Sequence, residues 1–347
     1  MHIVDIIIMI VYMLIVMGIG VYFWRKNKNA DDYYVGGRSM NKFAISLSVV
    51  ATDVGGGFSI GLGGLGFLMG ISGSWMLFTG LLGAWLSAVF LIPKAGKLSN
   101  KLKIYTFPQL FEYFYSPRVA LLAGIISAIG YIGFTSSQLL AGAKLASATF
   151  ADLNMTTALI GMGAIAVIYT AIGGLKAVVY TDVVQWIVLL IGLILIGIPL
   201  AYNAIGGIEV IRETLPAEFL TLNNIKWYTI VNWAVTIIPI WFVGMTLYQR
   251  LYASRTPKEA QKAWYIAGIF EWPIMAFMGV ILGLFARVAY ENGMFAYMGF
   301  EPGEMMDAEM GLPLLLRTIL PVGLMGLMIA AYFSAVMSTA DSCIMAA

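Results

Sequence analysis

The chain has 347 residues, 61% of them hydrophobic and only 11% charged, with one cysteine and a net charge of +2; its mean hydropathy is +0.88. Soluble domains carry about a quarter charged residues, so this composition excludes a soluble fold, and the small net charge implies no nucleic-acid partner. A lone Cys343 excludes an intrachain disulfide framework and a cysteine-built metal site.

A bilayer span takes about 20 mostly apolar residues, and nine such segments follow one another at 3–24, 43–71, 75–95, 119–150, 155–174, 177–204, 228–250, 264–290 and 321–347. The first has no basic region before it and no small-residue cleavage site after it, so it reads as a retained helix and not a signal peptide. Fifteen basic residues between Arg25 and Lys262, Arg250 among them, fall in alternate loops, against Arg212, Lys226, Arg287 and Arg317 on the other side. By the positive-inside rule the first set is cytoplasmic and the N-terminus is outside, in an inner or plasma membrane. A short cytoplasmic helix is expected at 109–115, after Pro108. The opposite stretches 206–222 and 303–318 mix apolar and charged residues at roughly helical spacing and are expected as short interfacial helices. The chain stops at Ala347 inside an apolar segment, which reads as a truncation.

Charged groups at membrane depth cost at least a few kcal/mol and are functional suspects: here Asp53, Lys144, Asp182, Glu271, Arg287 and Asp341. For Glu271 and Arg287, near expected helix ends, snorkelling to the interface is the plainer reading. Asp53 lies in Ala51-Thr52-Asp53-Val54-Gly55-Gly56-Gly57, and each glycine costs about 1 kcal/mol in a helix interior. A helix break is expected there. Such a break survives only where the freed backbone groups are buried, bind an ion or line a cavity, as in the discontinuous helices of secondary transporters.

In the last segment, Ser334-Ala335-Val336-Met337-Ser338-Thr339-Ala340-Asp341-Ser342 places Ser338 one turn from Asp341 and Ser342. One helix face thus offers hydroxyls and a carboxylate to a hard cation. A third stretch runs from Gly173 to Gln185 and puts Asp182 near a helix start, where capping or the helix dipole would be a sufficient reason for it.

In order along the chain, Asp32-Tyr33-Tyr34-Val35-Gly36-Gly37-Arg38-Ser39-Met40, the Ala51 to Gly57 break, Gly173 to Gln185, Gln249-Arg250 with Ala253, and Ala335 to Ser342 resemble the sodium:solute symporter family over essentially the whole chain. The resemblance implies an all-α, LeuT-like inverted-repeat bundle. It has an extra N-terminal helix at 1–24, a first five-helix repeat at 43–204 and a second repeat at 228–347, incomplete because members carry about thirteen helices.

It also implies a main sodium site of the Ala51, Val54 and Ala335 carbonyls with the Ser338 and Thr339 hydroxyls. A further cation or proton site falls on Asp182, Ser338, Asp341 and Ser342. Asp53 matches an acidic position of certain members, proline transporters among them, whereas the flanking Ala51-Thr52 and Val54-Gly55-Gly56-Gly57 look like choline-transporter relatives. The two hints point to different solutes.

The function expected is sodium-driven symport of a small polar organic solute by alternating access, with sodium as coupling ion and no other cofactor. Solute or gating residues are expected from the broken helix (Asp53, Gly57), the third core helix (Tyr131, Ser137, Gln138) and the sixth (Trp233, Thr236, Trp241). A membrane sensor with an attached signalling domain and a channel are the competing classes. Accumulation of solute against its gradient separates a transporter from a channel. An enzyme is not expected, since His2 is the sole histidine and no nucleophile-base set appears.

Overall fold

The computed structural model describes residues 2–149 and 154–346. Its helices are α1 (Ile3–Lys26), α2 (Ala30–Val35), α3 (Lys42–Met69), α4 (Trp75–Phe90), α5 (Ile92–Leu102), α6 (Pro108–Phe114), α7 (Pro117–Thr149) and α8 (Met155–Leu190). They continue as α9 (Ile198–Ala204), α10 (Gly207–Thr214), α11 (Trp227–Val243), α12 (Met245–Ala253), α13 (Pro257–Ile269), α14 (Ala276–Glu291), α15 (Ala308–Ile319) and α16 (Leu324–Ala346). A π-helical turn, Ile191–Gly197, joins α8 to α9, and another, Phe270–Met275, joins α13 to α14.

Local chemistry sets the ends. The Asn41 side chain accepts from the Ala44 N–H at the start of α3, Asn154 does so from Thr157 at α8, and Thr256 caps α13 ahead of Pro257. Glycines interrupt the helices at several points within the bundle. Gly55 in α3 (φ 51°, ψ 177°) and Gly174 in α8 (φ 68°, ψ 168°) take left-handed φ values that side-chain-bearing residues avoid. Between α11 and α12, Gly244 is extended and the two helices meet at 42°.

Among the described residues, six helices are long and apolar enough to cross a membrane, or seven if the bent α11–α12 pair is one span. That is fewer than the nine segments expected from hydropathy. Part of the difference is that the end of α3 and the whole of α4 count together as one stretch, Ile60–Phe90.

α3 lies at the centre, against α8, α13, α14, α15 and α16. α1 packs on α8 and α16 and leaves Ile3, Ile7, Ile10 and Leu14 exposed, as a lipid-facing helix would. Its one buried acid, Asp5, accepts from the N–H groups of Gly323 (2.6 Å) and Gly326 (2.9 Å) at the start of α16. These are the orphan donors of a helix N-terminus.

Two expectations need correction. The stretch 303–318, expected as an interfacial helix, is not interfacial throughout: α15 buries Gly311 to Leu316 against α3, α7 and α14, because six consecutive residues there carry no charge and find apolar partners. Nor is Arg250 in a loop. It belongs to α12, wholly buried, because the chain re-enters helix after Gly244 and carries this residue inward.

Candidate ion and solute site

The break in α3 is held against α16. The Thr339 hydroxyl donates to the Ala51 carbonyl (3.1 Å) and lies 3.2 Å from the Ala335 carbonyl, to which the Ser338 hydroxyl also donates (3.1 Å). A Cβ on Gly55 would collide with the Thr339 hydroxyl. Glycine therefore serves two needs here, the left-handed φ and the close approach of α16. The result is two hydroxyls and two carbonyl oxygens, all on buried residues, beside the break at Gly55. Val54 stands one residue before the break and Gly57 two after it; their side chains, like that of Ser334, lie outside the described residues.

One turn earlier along α3 lies a second cluster. The Ser48 hydroxyl donates to Asp182 (2.5 Å), and the Ser338 hydroxyl also faces that carboxylate. Into this cluster runs Arg250. Its Nη2 donates to the Ser342 hydroxyl (2.7 Å) and pairs with Asp182 (3.5 Å), its Nε donates to Ser48 (3.2 Å), and its Nη1 donates to the Thr246 carbonyl (3.2 Å). Thr52 meets Ser342 at 3.5 Å.

Asp182, Ser338 and Ser342, expected together from sequence, are thus joined through partners that sequence reasoning missed. These are Arg250, Ser48 and Thr52, of which only the two hydroxyls left a signal that could have found them: Ser48 and Thr52, like Ser338 and Ser342, are four residues apart and share a helix face. Asp341 is buried in the same turn of α16.

The second break is closed in the same manner as the first. At Gly244 the freed N–H of Thr246 donates to the Tyr131 hydroxyl of α7 (3.1 Å), and the two hydroxyls lie 3.3 Å apart. A hydroxyl from a neighbouring helix therefore meets the backbone at both the Gly55 and the Gly244 break.

The remaining solute candidates scatter. Ser137 and Thr236 are exposed, and their hydroxyls return to the Phe134 and Asn232 carbonyls of their own helices. Gln138 is buried and Trp233 half-buried. Trp241 fills the core, edge-on to Trp264 and against Gly83 of α4. Asp53 does not join the hydroxyl cluster; it lies against Glu271, which is fully buried beside Gly80 and not at an interface.

Away from both clusters, Lys144 of α7 pairs with Asp307 (2.8 Å) and with Glu309, at the start of α15. Burial raises the Asp307 carboxyl, but the Lys144 ammonium and the Glu309 N–H outweigh it and hold the group below its ordinary value.

Residues 33–347 match the model of the sodium:solute symporter family. The sodium/proline symporter of Escherichia coli K12 is 30% identical over 346 residues, covering 95% of this chain and 66% of that protein. The sodium/glucose cotransporter of Vibrio parahaemolyticus is 26% identical over 374 residues, covering 98% and 66%. This chain therefore spans slightly under two thirds of the length of these relatives. A solved Na+-coupled sialic acid symporter, substrate-bound and outward-open, superimposes with a TM-score of 0.79 at 23% identity over 99% of this chain and 72% of that one, so the two share the LeuT-like fold. With its broken helices and its match over nearly every residue, this multi-pass membrane chain belongs to the sodium:solute symporter family.

Proposed function

We propose that the protein is a secondary active symporter that couples sodium entry to import of a small polar organic solute. The observation that carries this reading is the Thr339 hydroxyl set on the Ala51 carbonyl across the Gly55 break. The Ala51, Val54 and Ala335 carbonyls with the Ser338 and Thr339 hydroxyls form an all-oxygen set suited to a small hard cation. Binding there ties α3 to α16, so sodium selects one arrangement of the two helices, and that differential affinity shifts the conformational equilibrium. The breaks at Gly55 and Gly244 suit the division into repeats at 43–204 and 228–347, which rock about the site between them. The basic loops are assigned to the cytoplasm and the N-terminus to the outside.

At the second oxygen set, the Arg250 guanidinium supplies the positive charge that Asp182 needs. A further sodium or proton binds there only when Arg250 withdraws.

The test uses sodium as the probe. The purified protein is unfolded thermally across sodium concentrations, with N-methyl-D-glucamine chloride holding ionic strength constant, since a ligand stabilises the state it binds. Wild type is expected to gain stability with sodium, and Ser338→Ala with Thr339→Ala to need at least about tenfold more. Equal sodium dependence in the two proteins removes the assignment.

A further inference from the structure

α5 turns Ile92, Ala95, Gly96 and Ser99 into the protein and leaves Lys94, Lys97 and Lys101 along its outer side. Their spacing of three and four residues stacks the three ammonium groups in one row. Beneath them, a groove of about 540 Å³ runs between α5, α6 and the Tyr248 end of α12, with Leu91, Leu98, Phe107 and Phe111 on its floor. None of the three lysine ammonium groups makes an ion pair or hydrogen bond with a described residue. Residues 94–118 hold five basic side chains and one acidic one, Glu112, which does not line the groove. Phe114 (63% exposed) and Tyr115 (73%) stand at its edge, where the spans end. Aromatic residues so placed sit at headgroup level.

We propose that this groove is a binding site for an anionic phospholipid, with an acyl chain on the aromatic floor and the headgroup phosphate on Lys94, Lys97 and Lys101. Charge complementarity favours this occupant: unpaired ammonium groups at a membrane surface attract anionic lipid, each contributing about fivefold in affinity. A wholly apolar floor does nothing for a free phosphate ion. The site also bears on the transport machinery. The Phe107 and Tyr248 rings lie 4.5 Å apart, and the Phe107 N–H contacts the Met245 sulfur, so the groove wall continues into α12 beside the Gly244 break and Arg250.

The purified protein in neutral detergent is unfolded thermally with added phosphatidylglycerol, phosphatidylcholine, glycerol phosphate or inorganic phosphate. Phosphatidylglycerol is expected to raise the midpoint well above phosphatidylcholine, and the two soluble phosphates to have no effect. In Lys94→Gln/Lys97→Gln/Lys101→Gln the lipid-free midpoint is expected to stay, while the phosphatidylglycerol needed rises on the order of a hundredfold. In wild type, about 1 M salt is expected to erase the preference, since the Debye length falls to about 3 Å; this arm decides the matter even if the triple variant does not fold. Equal stabilisation by both lipids, a preference that survives salt or an unchanged triple variant overturns the proposal. An equal effect of glycerol phosphate means a free-anion site and also overturns it.

Discussion

Arg250 and Asp182 form an ion pair, 3.5 Å from Nη2 to Oδ2, in which neither side chain has any exposed surface. Burying two charges costs several kcal/mol each, and hydrogen bonds must satisfy what the pair leaves over. Here Ser48, Ser342 and the Thr246 carbonyl do so, and they tie α3, α8, α12 and α16 to one guanidinium.

Removing one partner strands the other charge. Asp182→Asn or Arg250→Gln alone is expected to destabilise by about 3–5 kcal/mol, and the double variant by less than the sum of the two. The check is a double-mutant cycle on thermal unfolding in detergent. Strict additivity would mean that the two side chains do not depend on each other.

Gly55→Ala is expected to abolish sodium-dependent stabilisation. The added Cβ meets the Thr339 hydroxyl, and the left-handed φ costs roughly 1–2 kcal/mol for an L-residue. Thr339→Val keeps the shape but loses the bond to Ala51, at about 1 kcal/mol, and sodium affinity should fall at least about tenfold. Sodium titrations of both variants check this. Retained affinity in Thr339→Val would take that hydroxyl out of the ion site.

The Lys144 pair with Asp307 and Glu309 is expected to fail on acidification. Because the folded state holds Asp307 below its ordinary value, its contribution is complete above the usual carboxylate range and is lost as pH falls through the depressed folded value. Spin labels on α7 and α15, read by distance spectroscopy from pH 7 down to about pH 2, well below the ordinary Asp value, should show separation in wild type. In Lys144→Gln they should already be apart at neutral pH. A distance independent of pH and of Lys144 would show that the contact does not hold α15.

Asp5→Ala leaves two N–H groups of α16 without their acceptor, at about 1–3 kcal/mol for each one that stays buried. Asp5→Asn, which retains one carbonyl oxygen, is expected to recover more than half. Thermal unfolding checks the order, and equal loss in both variants would show that the carboxylate charge, and not the acceptor, is what α16 needs.

The sequence by itself determined the membrane class, the run of apolar segments, the break at 51–57 and the hydroxyl face of Ser338, Thr339 and Ser342. All of these rest on local properties: hydrocarbon content, the backbone freedom of consecutive glycines and the four-residue repeat of a helix. Only the tertiary structure decided what faces what. Asp53 and Glu271 meet although more than two hundred residues separate them, Lys144 finds the start of α15, and Arg250 turns from an apparent loop charge into the centre of a buried network. Partner choice across helices depends on crossing geometry and rotation about each axis, and in a chain this uniformly apolar neither leaves a mark on hydropathy.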